Sequence, residues 1–335
     1  MERILLAHGS GGRMMHSLIK DVFVSEFKNK ALARLDDGAS LKLPSGARIA
    51  FSSDSFVVDP IFFKGGDIGK ISVCGTVNDL AMCGAEPLFL SLSVVIEEGF
   101  PAADLKKIAR SIGMTSKAAG VEIVTGDTKV VPRGKADKIF INTSGIGIIN
   151  KGINISGANA KPGDAVIISG FIGDHEIAVL SCRAGFKFDS EIKSDCQPLN
   201  GVTKKLLKVP GAVRCMRDPT RGGLATTLNE ICLASGAGME IDEAKVPVRD
   251  AVRSACDMLG FDPMYLANEG KFITVAKQEH AGSLLRILRS TKEGRNAAII
   301  GRVVRSARKE VMLRTRSGGK RMLGMLSGEQ LPRIC

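Results

Sequence analysis

Along the first 150 residues the spacing of apolar positions changes back and forth between two periods. Ala47–Ser52 reads as a strand, closed by Asp54. From Gly66 to Ala85, Ile68, Ile71, Val77 and Ala81 recur at helical spacing. Pro87–Ile96 is β-rich, and Phe89–Val95 alternates with serines, the mark of a strand with one polar face. A helix follows with Pro101 at its start and Leu105, Ile108 and Ile112 on one side. Val121–Val124 and Ile139–Ile149 are further strands. The serine alternation favours a mixed sheet over an all-parallel one.

Gly157–Gly163 is polar and turn-rich and makes the best boundary. Beyond it, strands are expected at Ala165–Ser169, Phe272–Val275, Ala297–Val304 and Val311–Arg314. Helices are expected at Asp174–Ala184 and after Gly222-Gly223, where Leu224, Leu228 and Ile231 share a face. After Arg316 the pattern loosens. The division is thus an N-terminal domain (1–156), a C-terminal α/β domain (157–316) and a flexible tail (317–335). Ten tail residues at up to ~3.3 Å each span roughly 30 Å, enough to carry Cys335 into a distant pocket.

Composition narrows the functional classes. The 335 residues are 44% hydrophobic and 24% charged, which suits two folded domains rather than disorder. No apolar run has the form of a signal peptide or a membrane span, so a cytoplasmic protein is expected. The net charge of +12 would suit an acidic partner, but the cations are dispersed. With no Trp and one Tyr, base stacking has little to work with, and no nucleic-acid role is expected. None of the eight cysteines forms a C-x-x-C pair, which argues against zinc and iron–sulfur sites. Most cysteines lie in apolar stretches as inert core thiols, whereas Cys335 is the last residue of the sequence.

The candidate chemistry lies in carboxylates and glycines at turn-like positions. Asp54 and Asp127 follow apolar runs, Asp79 interrupts one, Asp37 precedes one, and Asp218 lies in the turn-like stretch Arg217–Gly223. Taken singly, such an aspartate is more often a cap or turn residue. Taken together they suit a hard cation such as Mg²⁺ shared with phosphate, and Asp79 inside an apolar helix needs a cation or a donor. Three glycine clusters accompany them: Gly9, Gly11 and Gly12; Gly65 and Gly66 beside Asp67; and Gly222 with Gly223. Glycines let backbone N–H groups approach phosphate, although Gly-rich turns are also common without a ligand. Neither P-loop nor G-x-G-x-x-G spacing occurs.

The stretches His8–Gly12, Gly66–Lys70, Gly75–Ala81, Gly126–Pro132, Arg217–Gly223, Asn268–Gly270 and Pro332–Cys335 together resemble one ATP-binding superfamily. This is the superfamily of aminoimidazole ribonucleotide synthetase and selenophosphate synthetase, and within it the match is to the HypE hydrogenase-maturation family. The resemblance covers nearly the whole chain. It implies two α/β domains, with N-terminal mixed sheets pairing across a homodimer into a β-barrel. ATP and Mg²⁺ would bind in the cleft near the dimer interface. By the same resemblance Asp37, Asp54, Asp79 and Asp218 match metal-binding aspartates. Asp127 and Lys129 match the nucleotide and phosphate region, with Gly9, Gly11, Gly12, Gly66, Asp67 and Asn78 among the cofactor-binding positions. Glu269 looks like the acid–base residue and Cys335 like the modified cysteine.

The implied reaction is ATP-dependent dehydration of a thiocarbamate on Cys335 to a thiocyanate. A HypF carbamoyltransferase would load the thiol, and a HypC–HypD complex would take the cyano group on to a nickel–iron hydrogenase. Lys129 would act catalytically on the transferred phosphate. A rival within the superfamily would phosphorylate selenide or a free amide. Selenide enzymes carry a reactive residue near the N-terminus, whereas the first cysteine here is Cys74. A basic nucleic-acid-binding protein is the second rival, and it predicts salt-sensitive retention on DNA without ATP hydrolysis.

Overall fold

A computed structural model describes residues 3–183, 191–328 and 331–335. Helices α1 (Arg13–Leu18) and α2 (Ser25–Phe27) precede strands β1 (Ala39–Lys42) and β2 (Arg48–Phe56). Asp54 was expected to close this strand but sits within it, and Phe56 is the buried residue that ends it. Short strands β3 (Phe62–Phe63) and β4 (Gly66–Asp67) lead into α3 (Ile68–Met82), whose first turn is capped by the Asp67 carboxylate accepting from Lys70 N–H at 3.0 Å. Then come β5 (Ala85–Glu97), α4 (Ala102–Ala119), β6 (Glu122–Val131) and β7 (Ile139–Ile149).

These strands form an open sheet in the order β1-β2-β7-β5-β6, in which β5 and β6 run parallel and the other pairs antiparallel. The sheet is mixed, in keeping with the serine alternation. Helix α3 is buried on nearly every side between the sheet and α4. Gly69 lets it approach the Ile108 carbonyl of α4, and Gly75 makes room for the Phe56 ring. The other face of the sheet is uncovered. Phe51, Ile146 and Phe89 lie in register across β2, β7 and β5 on that face, and Phe51 is 44% exposed.

The second half contributes β8 (Ala165–Ile168), α5 (Asp174–Leu180), α6 (Asn200–Leu206), β9 (Val213–Arg217), α7 (Gly223–Ser235), β10 (Gly238–Asp242) and α8 (Asp250–Leu259). It is completed by β11 (Ile273–Ala276), α9 (Gln278–Arg289), β12 (Ala298–Val304), β13 (Val311–Arg314) and β14 (Lys320–Met322). The sheet order is β14-β13-β10-β12-β8-β11-β9. All four residues of β8 are buried, because α5, α7 and α8 cover one face of the sheet while α6 and α9 cover the other. The expected helix from Asp174 ends at Leu180, and Ala184 lies outside the described residues. Residues 317–335, read as a flexible tail, include β14 and, at 331–335, a segment anchored by the buried Ile334. Among the described residues no helix is long and apolar enough to cross a membrane.

Candidate functional site

Four aspartates from separate elements face one pocket of about 470 Å³: Asp37 ahead of β1, Asp54 in β2, Asp79 in the last turn of α3 and Asp218 after β9. Asp37 Oδ1 accepts from Arg217 Nε at 2.9 Å, and the same guanidinium reaches Glu230 at 3.1 Å. Asp37 Oδ2 is buried without a partner. Asp79 Oδ2 accepts from Ser52 Oγ at 2.6 Å.

Burial pushes the Asp37 carboxyl up to about 6, against the pull of Arg217. Burial raises Asp54 as well, opposed by Arg221. Asp79 and Asp218 are driven well up by burial and by the neighbouring carboxylates. Among the described residues no group of three or more His, Cys, Asp or Glu side chains could hold a metal ion as placed. An unpartnered buried carboxylate oxygen and mutually repelling acids nonetheless suit a divalent cation completed by ligands from outside the protein.

The glycines at 9–12 close one wall. Gly11 adopts φ +81°, and a Cβ there would lie 2.5 Å from Arg221 Cβ. Gly9 offers its carbonyl to Arg221 at 2.9 Å, while Gly12 lies against the Leu326 carbonyl. Arg221 lines both the aspartate pocket and a smaller cavity of about 70 Å³ that it shares with Gly9, Glu176 and Cys335.

The 331–335 segment is folded inward. Val57 N–H donates to Cys335 O at 3.0 Å and Asp59 N–H to Arg333 O at 3.1 Å, a short ladder beyond β2. Arg333 adopts φ +55°, ion-pairs with Asp137 and donates to Val57 O at 2.7 Å. Arg183 donates to the carbonyls of Pro332 and Arg333, at 2.6 and 2.7 Å. Burial pushes the Cys335 thiol up to about 12, with Arg221 opposing and Glu269 and Asp54 reinforcing.

Glu176, at the same small cavity, accepts from Ala267 N–H at 2.6 Å, and burial pushes its carboxyl up to about 7. Its folded value lies above the unfolded 4.5. The folded state therefore holds the proton more tightly, and this stabilisation is full below pH 4.5 and is lost as the pH rises through 7. Glu176→Gln is expected to remove that dependence and to raise stability at pH 8 by up to about 3 kcal/mol. Urea unfolding of both proteins at pH 5 and pH 8 measures it, and parallel pH dependences would contradict the assignment.

Glu269 is buried beside the site, where desolvation and surrounding acidic groups, Cys196 and Asp218 foremost, drive its carboxyl well up. Its backbone N–H donates to Asp195 Oδ1 at 3.1 Å, and Asp195 is paired with Lys271 at 3.1 Å in the interior. Asn78 accepts from Leu199 N–H at 2.8 Å and donates to Gln197 O and Glu269 O, so it braces the Glu269 loop from within α3.

The remaining expected positions lie elsewhere. Gly66 sits under the Phe63 ring, and Asp67 is the cap of α3. Asp127 and Lys129 form a 2.7 Å ion pair on the edge strand β6, with side chains 58% and 66% exposed. They were read as a turn after an apolar run, but they are mid-strand. Gly126 is a glycine because the Leu92 carbonyl of β5 comes too close for a Cβ.

Residues not singled out from the sequence also converge on the site: Arg217, Arg221, Glu230, Ser52, Glu176, His175 and Arg183. The two arginines bracket Asp218 in one stretch, and that clustering of opposite charge was the available signal.

Family models match AIR synthase related proteins over both halves, the N-terminal domain at residues 35–149 and the C-terminal domain at 161–314. The carbamoyl dehydratase HypE of Cupriavidus necator is 51% identical over 333 residues, covering 99% of this chain and 95% of that protein. A HypE in a HypE–HypF complex is 50% identical with a TM-score of 0.88, covering 92% of this chain and all of the other. A HypE in complex with ATP is 49% identical with a TM-score of 0.83, covering 99% of this chain and all of the other. Two AIR synthase related domains in order and half-identity over nearly the full length leave one assignment: the chain belongs to the HypE family of hydrogenase-maturation enzymes, whose relatives bear the name carbamoyl dehydratase.

Proposed function

We propose that this chain dehydrates a thiocarbamate carried on its own Cys335 to a thiocyanate, with ATP as the co-substrate. The observation that carries the reading is the seat of Cys335. Its thiol lies in a cavity whose wall, Arg221, also lines the aspartate pocket. In balanced form, the thiocarbamate and ATP give the thiocyanate, ADP and inorganic phosphate. The carboxamide oxygen attacks the γ-phosphorus, the bond to ADP breaks, and the C–O bond then breaks with phosphate as the leaving group. Both N–H protons leave as the C≡N bond forms.

The roles follow from the surroundings. Asp37, Asp54, Asp79 and Asp218 hold Mg²⁺, which when bound neutralises charge on the phosphates. Gly9, Gly11 and Gly12 bring backbone close to the nucleotide next to Arg221. Arg221 faces the thiol and the aspartates together, where it stabilises negative charge developing on the transferred group. Glu269 accepts a proton from the carboxamide nitrogen; a buried carboxylate with a raised pKa is a stronger base than a solvated one.

Asp127 and Lys129 lie on an exposed edge, so we place their phosphate contact at the interface of a homodimer. The bare apolar row of Phe51, Ile146 and Phe89, with Val124 and Val130 exposed on β6, supports two sheets closing into a barrel. A HypF-type carbamoyltransferase loads the thiol, a reading supported by the related HypE–HypF complex. A HypC–HypD pair receives the cyano group, and all of this takes place in the cytoplasm.

Mass spectrometry of the 331–335 region tests the proposal after incubation with HypF, carbamoyl phosphate and ATP. The expected result is a carbamoyl adduct on Cys335 that loses one water only with hydrolysable ATP. An adduct that persists unchanged with ATP would sink the reaction.

A further inference from the structure

The thiol of Cys335 can be presented reproducibly only if the main chain around it is fixed. The two carbonyls flanking its Cα are both held. Cys335 O accepts from Val57 N–H, and Ile334 O is bonded to His175 Nε2 at 2.9 Å. A carbonyl only accepts, so Nε2 carries the hydrogen. His175 is fully buried at the start of α5, and burial holds its imidazole below the usual value, which favours the neutral ring with Nδ1 as acceptor.

Ser194 completes the arrangement. Its Oγ lies 2.8 Å from His175 Nδ1 and accepts from Cys196 N–H at 3.1 Å, which leaves the hydroxyl hydrogen for Nδ1. The chain of donors runs from Cys196 N–H through Ser194 O–H to His175 Nε2–H and ends on the Ile334 carbonyl, which accepts. The ring plane is fixed by Phe63, packed edge-on at 5.5 Å and 88°.

The glycine pair at 65–66 serves this same spot. A Cβ on Gly65, at φ +95°, would lie 2.8 Å from Ser194 N, and one on Gly66 would lie 2.9 Å from the Phe63 ring. Lys64 O accepts from Ser194 N–H at 2.8 Å, which seats the loop on the serine.

We propose that His175, set in its tautomer by Ser194, is a positioning residue that latches the 331–335 segment inward and so aims the Cys335 thiol. This rests on the reaction proposed above for its purpose, but not for its existence. Arg183 grips the segment further back, at Pro332 and Arg333, whereas His175 acts on the peptide that joins Cys335 to the chain.

Alkylation by iodoacetamide tests the latch on the full chain without ATP or partner. Labelling of Cys335 is read by peptide mass spectrometry as a ratio to Cys182, a part-buried thiol on the same molecule. His175→Phe keeps a flat ring but cannot donate, and it is expected to raise the ratio about tenfold, the effect of losing one buried hydrogen bond. His175→Gln restores a donor at the Nε2 position and is expected to stay within about threefold of wild type. Ser194→Ala leaves the core packing alone and frees the tautomer, so the ratio rises in the same direction with the melting temperature little changed.

An unchanged ratio in His175→Phe, or in folded Ser194→Ala, overturns the latch, as does a Gln variant as open as Phe. If the carbamoylated wild type fails to lose water while these ratios still move, the dehydration chemistry falls and the latch stands.

Discussion

Cys335→Ala is expected to abolish formation of the dehydrated product completely while ATP binding persists. The thiol is the atom that carries the substrate in the proposed reaction, and no other cysteine is placed to replace it. Cys182 is the other part-buried thiol, and the remaining six are buried among core residues. The aspartate pocket has its own walls from β2, α3 and the Arg217–Arg221 stretch, so the nucleotide binding proposed there would not need the thiol. Calorimetric titration with ATP and Mg²⁺, alongside mass analysis of the product, checks both halves. A variant that no longer binds nucleotide would mean that the 331–335 segment builds the pocket rather than visiting it.

Glu269→Gln is expected to lower the single-turnover rate of dehydration by about 10²–10⁴, the usual contribution of a positioned proton acceptor. The substitution keeps the volume, the backbone bond to Asp195 and the support from Asn78, so ATP affinity and folding stay near wild type. A second signature separates it from a packing defect. Because the Glu269 carboxyl is raised, the wild-type rate climbs with pH as the group ionises, and the Gln variant lacks that limb. Unaltered conversion of a carbamoylated Glu269→Gln protein would remove this residue from the mechanism.

The elements most legible in the sequence were those whose pattern is local. Helix α4 shows a clean apolar face, Pro101 before its first residue and Gly120 at φ +70° after its last. Strand β5 was readable from its serines because one face of its sheet is bare. Helix α3 was readable only as an apolar density, since burial on all sides erases the amphipathic period. Gly126 misled for a physical reason, because the sequence reports the need for a glycine but not its source. Here the source is a neighbouring strand's carbonyl and not a turn.

The same limit applies to the site. Asp37, Asp54, Asp79 and Asp218 could be picked out as odd carboxylates, and the fold gathers them at one pocket. Arg217 and Arg221 could not be assigned, because Asp37 and Gly9, which they bind, lie 180 and 212 positions away in the chain and no local spacing encodes such a contact. The latch is a stronger case still. Gly65, His175, Ser194 and Ile334 come from four stretches with no shared pattern, and only their meeting gives them a role.

Arg221 faces two cavities with a single guanidinium. Its pKa is raised by the neighbouring Cys335 first and then, against burial, by Asp54, Glu269 and Asp79. A ligand that engages it from the aspartate side and a thiol seated on the other side therefore draw on the same cation, and their binding equilibria share a coupling free energy. Reciprocity then requires that whatever nucleotide does to the residence of the tail, the tail does to the residence of nucleotide by the same factor. In the proposed reaction a carbamoylated tail and a free one would present different groups to Arg221, so loading of the thiol would itself be a signal felt at the aspartate pocket.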